Sequence, residues 1–94
     1  MPHAVWTPVA EADLDDVLYY IAVKDGRPET AIKIYHELKD TVDIRAETGT
    51  PAQTHEAAPD GWFYFQFKRW LIFYQHHRDG IEVMRVIDLS LIHI

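Results

Sequence analysis

Three segments rich in aromatic and branched residues fill the C-terminal third of this chain and constrain its fold most strongly. They are WFYFQFK (62–68), WLIFYQH (70–76) and IEVMRVI (81–87). Side chains alternate across a strand, and both alternating sets in these segments are largely apolar. We therefore predict three antiparallel strands joined by two hairpins, in a sheet that is apolar on both faces.

The two hairpin turns differ in how clearly the sequence specifies them. Asp79-Gly80 supplies the positive φ angles of a tight turn between the second and third strands. The Lys68-Arg69 corner contains neither Gly nor Asn, so its length stays open. A two-residue turn places Phe67 and Trp70 on one face of the sheet, whereas an odd-length turn places Phe67 with Leu71.

The N-terminal half predicts a short strand followed by a helical hairpin. HAVW (3–6) is strand-like, Thr7 is a good helix cap, and Pro8 suits the first position of a helix. Pro28 begins a second helix in the same way, with apolar residues at helical spacing after it. The short link KDGRP between them predicts an antiparallel helix pair.

Two helices with one apolar stripe each cover only one face of such a sheet. The other face would then be an exposed apolar surface, which usually marks a partner-binding site. The alternative is that the loop at residues 48–60 and the C-terminal tail fold over it. The sequence does not decide which face is exposed; we predict Trp70, Ile72 and Tyr74, which share one face of the middle strand, as partner-binding residues together with Arg69 and Arg85.

Length and composition narrow the classes of function. Ninety-four residues make one domain, which we assign to residues 1–94. The chain has no cysteine, no predicted signal peptide and no membrane span, and we predict a cytoplasmic protein. Its net charge is −6, with twelve acids and five bases in residues 1–60 but three acids and four bases in residues 61–94. An acidic domain of this kind is not expected to bind DNA directly on its own.

The sequence predicts no metal site and no cofactor. His76 and His77 are neighbours on a strand, so they point to opposite faces and do not share one ion. An acidic cluster begins the first helix, where carboxylates complement the helix dipole, and we predict that it is a solvated face. Its members are Glu11, Asp13, Asp15 and Asp16.

Arg85 lies in the middle of an apolar strand, where a charged group needs a partner or a ligand. Arg69, Tyr74 and His76 lie on the adjacent strand. If all four share a face, they could bind phosphate or a carboxylate, or supply acid–base groups and charge stabilisation for RNA cleavage. The alternative is a structural salt bridge from Arg85 to Asp88, Glu82 or a carboxylate of a partner.

The order of segments along the chain resembles the ParE branch of the RelE/ParE toxin superfamily. The resemblance extends to about residue 88 through VWTPVAEADLDDVLYYIA, AIKIYHELKDTVD, TGTP and FQFKRWLIFYQHHRDGIEVMRVI. Its most specific part is the last of these, which is similar to the branch's arginine–aromatic strand, its acidic–glycine turn and its final strand ending in Arg-Val-hydrophobic.

The resemblance implies an α+β fold, in which a short N-terminal strand and a two-helix antiparallel hairpin pack on an antiparallel sheet. It implies the toxin of a type II toxin–antitoxin pair, wrapped by a largely helical C-terminal segment of a ParD-like antitoxin. ParE-like members act against DNA gyrase, whereas RelE-like members cleave mRNA on the ribosome. Arg69 and Arg85 match the branch's pattern and are predicted to be functional or to contact the antitoxin.

Two departures from the superfamily pattern favour a binding toxin over an enzyme. The chain is acidic, and residues 89–94 (LSLIHI) replace the usual histidine–glycine–basic–aspartate continuation with an atypical apolar tail, which leaves open whether that tail is native. We predict a ParE-like gyrase inhibitor that acts without turnover. The alternatives are a RelE-like ribosome-dependent endoribonuclease, with Arg69, Tyr74, His76 and Arg85 as catalytic residues, and an inactive relic that only binds antitoxin.

Overall fold

A helical hairpin lies on one face of a four-stranded sheet. The computed structural model describes residues 3–49 and 53–92. The elements in chain order are β1 (Ala4–Trp6), α1 (Pro8–Tyr19), a π-helical turn (Tyr20–Lys24), α2 (Pro28–Thr48), β2 (Phe63–Phe67), β3 (Trp70–His77), β4 (Gly80–Asp88) and a 3-10 turn (Leu89–Leu91).

Local signals place the helix starts, as predicted. The Thr7 hydroxyl accepts a hydrogen bond from the Ala10 amide at 3.1 Å, and Pro8 and Pro28 stand at the beginnings of α1 and α2. Thr7 also ties α1 to the sheet, because its amide donates to the Val83 carbonyl at 3.1 Å. The π-helical turn that prolongs α1 has no clear signal in the sequence; turns of this kind often occur at functional sites.

The sheet has the strand order β1-β4-β3-β2 and is mixed. β2, β3 and β4 are antiparallel neighbours, as predicted, but β1 pairs in parallel with β4. The predicted α+β fold, with a short N-terminal strand, a two-helix hairpin and antiparallel strands, is confirmed. The parallel pairing of β1 was not predicted, because β4 lies far along the sequence and the pairing is not encoded locally. Met84 is an extra residue in β4 without a partner on β3, which makes a β-bulge just before Arg85.

Both hairpins have two-residue turns. Phe67 pairs with Trp70, which settles the turn length that the sequence left open, and Lys68 takes a positive φ of 53°. In the second hairpin the positive φ, 54°, is at Arg78 rather than at Asp79-Gly80, so that prediction was wrong. Gly80 is required for another reason: a Cβ there would overlap the backbone of the segment that precedes β1.

The main core lies between the helices and the sheet. Its fully buried side chains include Leu14, Leu38, Ile72 and Val83. Trp70 is 6% exposed, Ile72 is 0% exposed and Tyr74 is 2% exposed, all in this core. These three side chains, which we predicted to bind a partner, are therefore not exposed in the isolated chain, because the two-residue turn directs them under the helices.

The opposite face of the sheet is also covered at its centre. Leu71 and Phe73 are buried there, and the ring centroids of His55 and Trp62 lie 6.0 and 6.3 Å from that of Phe73. The Tyr64 amide donates to the Gln53 carbonyl at 2.9 Å, which holds the covering segment against β2. The loop therefore covers this face through residues 53–62, and the predicted exposed apolar face is not found. Residues 50–52 of the predicted loop and 93–94 of the tail lie outside the described residues.

Candidate functional site

A groove of about 700 Å³ opens between the tip of the helical hairpin and the ends of β3 and β4. Apolar side chains that belong to or pack against the core line its base, and charged side chains line its sides. The apolar residues at the base are Val17, Ile21, Ile34, Trp70 and Val86, and the charged residues are Asp13, Asp16, Asp25, Arg27, Arg69, Arg85 and Asp88.

Asp13 of α1 holds Arg85 and the edge of β4. Its carboxylate accepts hydrogen bonds from Arg85 Nε at 2.7 Å and Nη2 at 3.2 Å, and from the Val86 amide at 3.0 Å. The hydrogen bond to Asp13 raises the pKa of the Arg85 guanidinium, against the opposing effect of burial. β1 ends opposite Val83, so Asp13 supplies a partner to the β4 backbone beyond the reach of β1.

The partner of Arg85 was thus not among those considered from the sequence. Asp88 and Glu82 were the candidates within the chain, and neither forms the bond. Asp13 was assigned to a solvated cluster, but its carboxylate is only 16% exposed. Asp13 follows Ala10 by three residues and precedes Val17 by four, so it interrupts the apolar stripe of α1, and that position was the available signal.

Arg69 and Asp88 form a second ion pair at the end of the same strands. Arg69 Nε donates to Asp88 Oδ2 at 2.9 Å, and the Leu89 amide donates to the Arg69 carbonyl at 2.9 Å. Burial raises the pKa of the Asp88 carboxyl, but hydrogen bonds from Ser90 and Arg69 outweigh it and leave that pKa below its usual value. The 3-10 turn of the tail therefore begins on a fixed carboxylate.

The four residues proposed for RNA cleavage do not come together. Arg69 and Arg85 line the groove, whereas Tyr74 and His76 line a separate cavity of about 100 Å³ that also contains Arg45 and Asp79. Tyr74 is buried beneath the helices, and the His76 ring lies 5.2 Å from that of Phe63, measured between centroids. Tyr74, His76 and Arg85 lie on neighbouring strands, as predicted, whereas Arg69 lies in the turn that precedes β3. The four residues therefore reach two different sites.

Carboxylates neutralise much of the basic charge of the C-terminal third. Lys68 Nζ lies 3.4 Å from a carboxylate oxygen of Glu37 in α2. Arg69 and Arg85 have the partners described above. The groove therefore does not present a continuous basic surface of the kind that binds a phosphate backbone.

The Asp13 contacts are expected to stabilise the fold. Asp13→Ala removes charge-assisted hydrogen bonds and leaves the Val86 amide without its acceptor, so we expect the free energy of unfolding to fall by about 1.5–3 kcal/mol. Urea denaturation followed by circular dichroism measures it. Asp15→Ala, an exposed position in the same helix, is the control and should change it by less than about 0.5 kcal/mol. Equal effects at the two positions would contradict a structural role for Asp13.

The described residues, 3–49 and 53–92, contain no group of three or more His, Cys, Asp or Glu side chains placed to hold a metal ion. No helix in this part of the chain combines the length and the apolar character that crossing a membrane requires.

Comparison with known proteins identifies the family. Residues 4–90 match the profile of a family described as the ParE toxin of the type II toxin–antitoxin system parDE. The fold is similar to that of a chain in the chromosomal ParDE TA system from P. aeruginosa, with a TM-score of 0.77 and 20% sequence identity over 95% of this chain and 97% of that one. No curated protein matches the chain significantly. Because the family match spans nearly the whole sequence, this chain belongs to the ParE toxins of type II toxin–antitoxin systems.

Proposed function

We propose that this ParE toxin is held inactive by a ParD-like antitoxin that docks in the groove, and that the free toxin inhibits DNA gyrase by binding it without turnover. The family match supports a toxin with an antitoxin partner. The resemblance to the ParE branch supports gyrase as the proposed target, and a toxin with that target would act in the cytoplasm.

The groove is the observation that supports antitoxin docking. It combines an apolar base with charged sides, and concave sites with this composition are typical binding sites. Tyr20 and Leu91, which also line it, are 58% and 72% exposed. A bound segment would therefore bury apolar surface that the toxin leaves open. This groove replaces the sheet face as the proposed partner surface, with Arg69, Arg85 and Trp70 among its lining residues.

Binding without turnover is supported by the positions of the polar residues. Ribonuclease chemistry needs a proton-transfer group within reach of the groups that stabilise the transition state. Here Tyr74 and His76 line the small cavity, whereas Arg69 and Arg85 line the groove. Both arginines are paired with a carboxylate. The net charge of −6 also disfavours unaided binding to nucleic acid.

Induced expression in a bacterium, with and without the adjoining antitoxin gene, tests the proposal. We expect growth arrest with gyrase-dependent DNA breaks when the toxin is expressed alone, and normal growth when both are expressed. The purified toxin should inhibit supercoiling by gyrase in vitro, and added antitoxin should reverse the inhibition.

His76→Ala separates the proposal from the ribonuclease alternative. His76 is exposed, and a gyrase inhibitor that docks elsewhere should keep its toxicity when the imidazole is removed. A ribosome-dependent nuclease that uses His76 should lose its toxicity. Messages trimmed within translating ribosomes would contradict the proposal, and harmless expression of the unaltered toxin would identify an inactive relic.

A further inference from the structure

We infer that opposite charges on the two sides of the groove fix which way round the antitoxin segment lies in it. This inference rests on the proposed function, since it concerns the same groove and the same partner. The helical side carries the carboxylates of Asp13, Asp16 and Asp25 and the guanidinium of Arg27. The strand side carries the guanidinium groups of Arg69 and Arg85 and the carboxylate of Asp88.

The charges left available for a partner are fewer than this count, because ion pairs within the chain already use some of them. Asp13 is already bonded to Arg85 and the Val86 amide. Asp16 and Asp25 are exposed and make no side-chain hydrogen bond or ion pair within the described residues. Arg27 offsets one of these two charges, so the helical side keeps one accessible negative charge.

The strand side offers donors. Arg69 is 64% exposed and, among the described residues, uses only its Nε, in the bond to Asp88. A guanidinium has five N–H donors, so its two terminal nitrogens are available to a second carboxylate. Arg85 is 41% exposed and bonds Asp13 through two of its nitrogens. Of the two arginines, Arg69 is therefore the more accessible donor for a carboxylate of the partner.

The partner that fits is an amphipathic antitoxin segment with separated charges. Its apolar stripe would lie on the exposed side chains of Tyr20 and Leu91, with basic side chains towards Asp16 and Asp25 and acidic side chains towards Arg69. The reversed orientation would place like charges together on both sides of the groove. Electrostatic complementarity of this kind sets orientation and association rate more than final affinity.

Association kinetics test the inference with the antitoxin encoded beside the toxin gene as the probe. The double variant Asp16→Lys/Asp25→Lys reverses the accessible charge of the helical side. We expect its association rate constant at low ionic strength to be about tenfold lower than that of the unaltered toxin, with little change in the dissociation rate. The difference should shrink as added salt screens the exposed charges.

Asp40→Lys/Asp43→Lys is the matched control. It makes the same change of charge at exposed positions of α2 that do not line the groove, so the association rate should change by less than about twofold. In a charge-reversal series over the antitoxin's Lys and Arg residues, at least one reversal should restore rapid association with Asp16→Lys/Asp25→Lys. Equal slowing of the two toxin variants, or no slowing of the groove variant, would overturn the inference.

The same measurements separate failure of the inference from failure of the proposed function. If the unaltered toxin binds its antitoxin tightly and the groove variant associates equally fast, only the charge-ordered docking is wrong. If the unaltered toxin does not bind the antitoxin, the proposed function is wrong and the inference falls with it.

Discussion

Trp70→Ala is expected to lower the free energy of unfolding by about 3–5 kcal/mol, the range for large-to-small replacement of a buried aromatic side chain. Trp70 is 6% exposed, belongs to the main core, and stacks with Phe67 at a centroid separation of 6.5 Å. A domain of this size is stable by about 5–15 kcal/mol. The substitution would therefore remove a large part of the total free energy of unfolding. Urea denaturation followed by circular dichroism measures this loss.

Two further variants show whether this loss comes from the core. Trp70→Phe keeps an aromatic ring and should lose less stability than Trp70→Ala. Leu91→Ala alters a side chain that also lines the groove but is 72% exposed, and it should change stability by less than about 0.5 kcal/mol. If Trp70→Ala left the unfolding free energy unchanged and weakened only antitoxin binding, Trp70 would be an exposed anchor, as the sequence suggested, and the burial described above would be wrong.

Local signals predicted much of the fold. Thr7, Pro8 and Pro28 begin helices through capping and ring geometry, which depend only on neighbouring residues. The apolar segments after residue 61 predicted three antiparallel strands. The parallel pairing of β1 was missed because it depends on contacts between segments far apart in the sequence. The bulge at Met84 was missed because β4 carries no Gly or other local signal at that position.

The candidate site was predicted only on its strand side. Arg85 was predicted as a site residue because it is a charge in the middle of an apolar strand, and the resemblance to ParE toxins predicted Arg69 as well. Both arginines line the groove. The helical side was missed because the pattern of one strand does not reveal which helix packs beside it. Asp13 is the clearest case, since only the folded chain brings it to Arg85 across 72 positions.

The second sheet face is covered by the loop, which the sequence left open as the alternative to a partner surface. An irregular segment can bury apolar side chains as a helix does if its backbone hydrogen bonds are satisfied. The segment at 53–62 meets that condition: the Ala58 amide donates to the His55 carbonyl at 3.1 Å and the Trp62 amide donates to the Pro59 carbonyl at 3.2 Å. The case for an antitoxin partner therefore depends on the family and the groove, not on this face.

Phe73→Ala tests that conclusion directly, and we expect a loss of about 3–5 kcal/mol in the free energy of unfolding. Phe73 is 3% exposed, and the rings of His55, Trp62 and Tyr64 all lie near its own, with centroid separations of 6.0–6.3 Å. Removing the ring leaves a cavity beneath the covering segment. Hydrogen exchange at the Tyr64 amide, which is bonded to the Gln53 carbonyl, should quicken because that segment loses its main apolar contact.

Ile44→Ala is the control for Phe73→Ala, since Ile44 is an apolar residue that is 57% exposed on α2. It should change the unfolding free energy by less than about 0.5 kcal/mol and leave exchange at Tyr64 as it was. If this sheet face were instead open for the antitoxin, the result would differ. Phe73→Ala would then barely change the unfolding free energy of the free toxin and would weaken antitoxin binding. That result would show that the sheet face is the partner surface. It would contradict the conclusion that residues 53–62 cover this face in the free toxin.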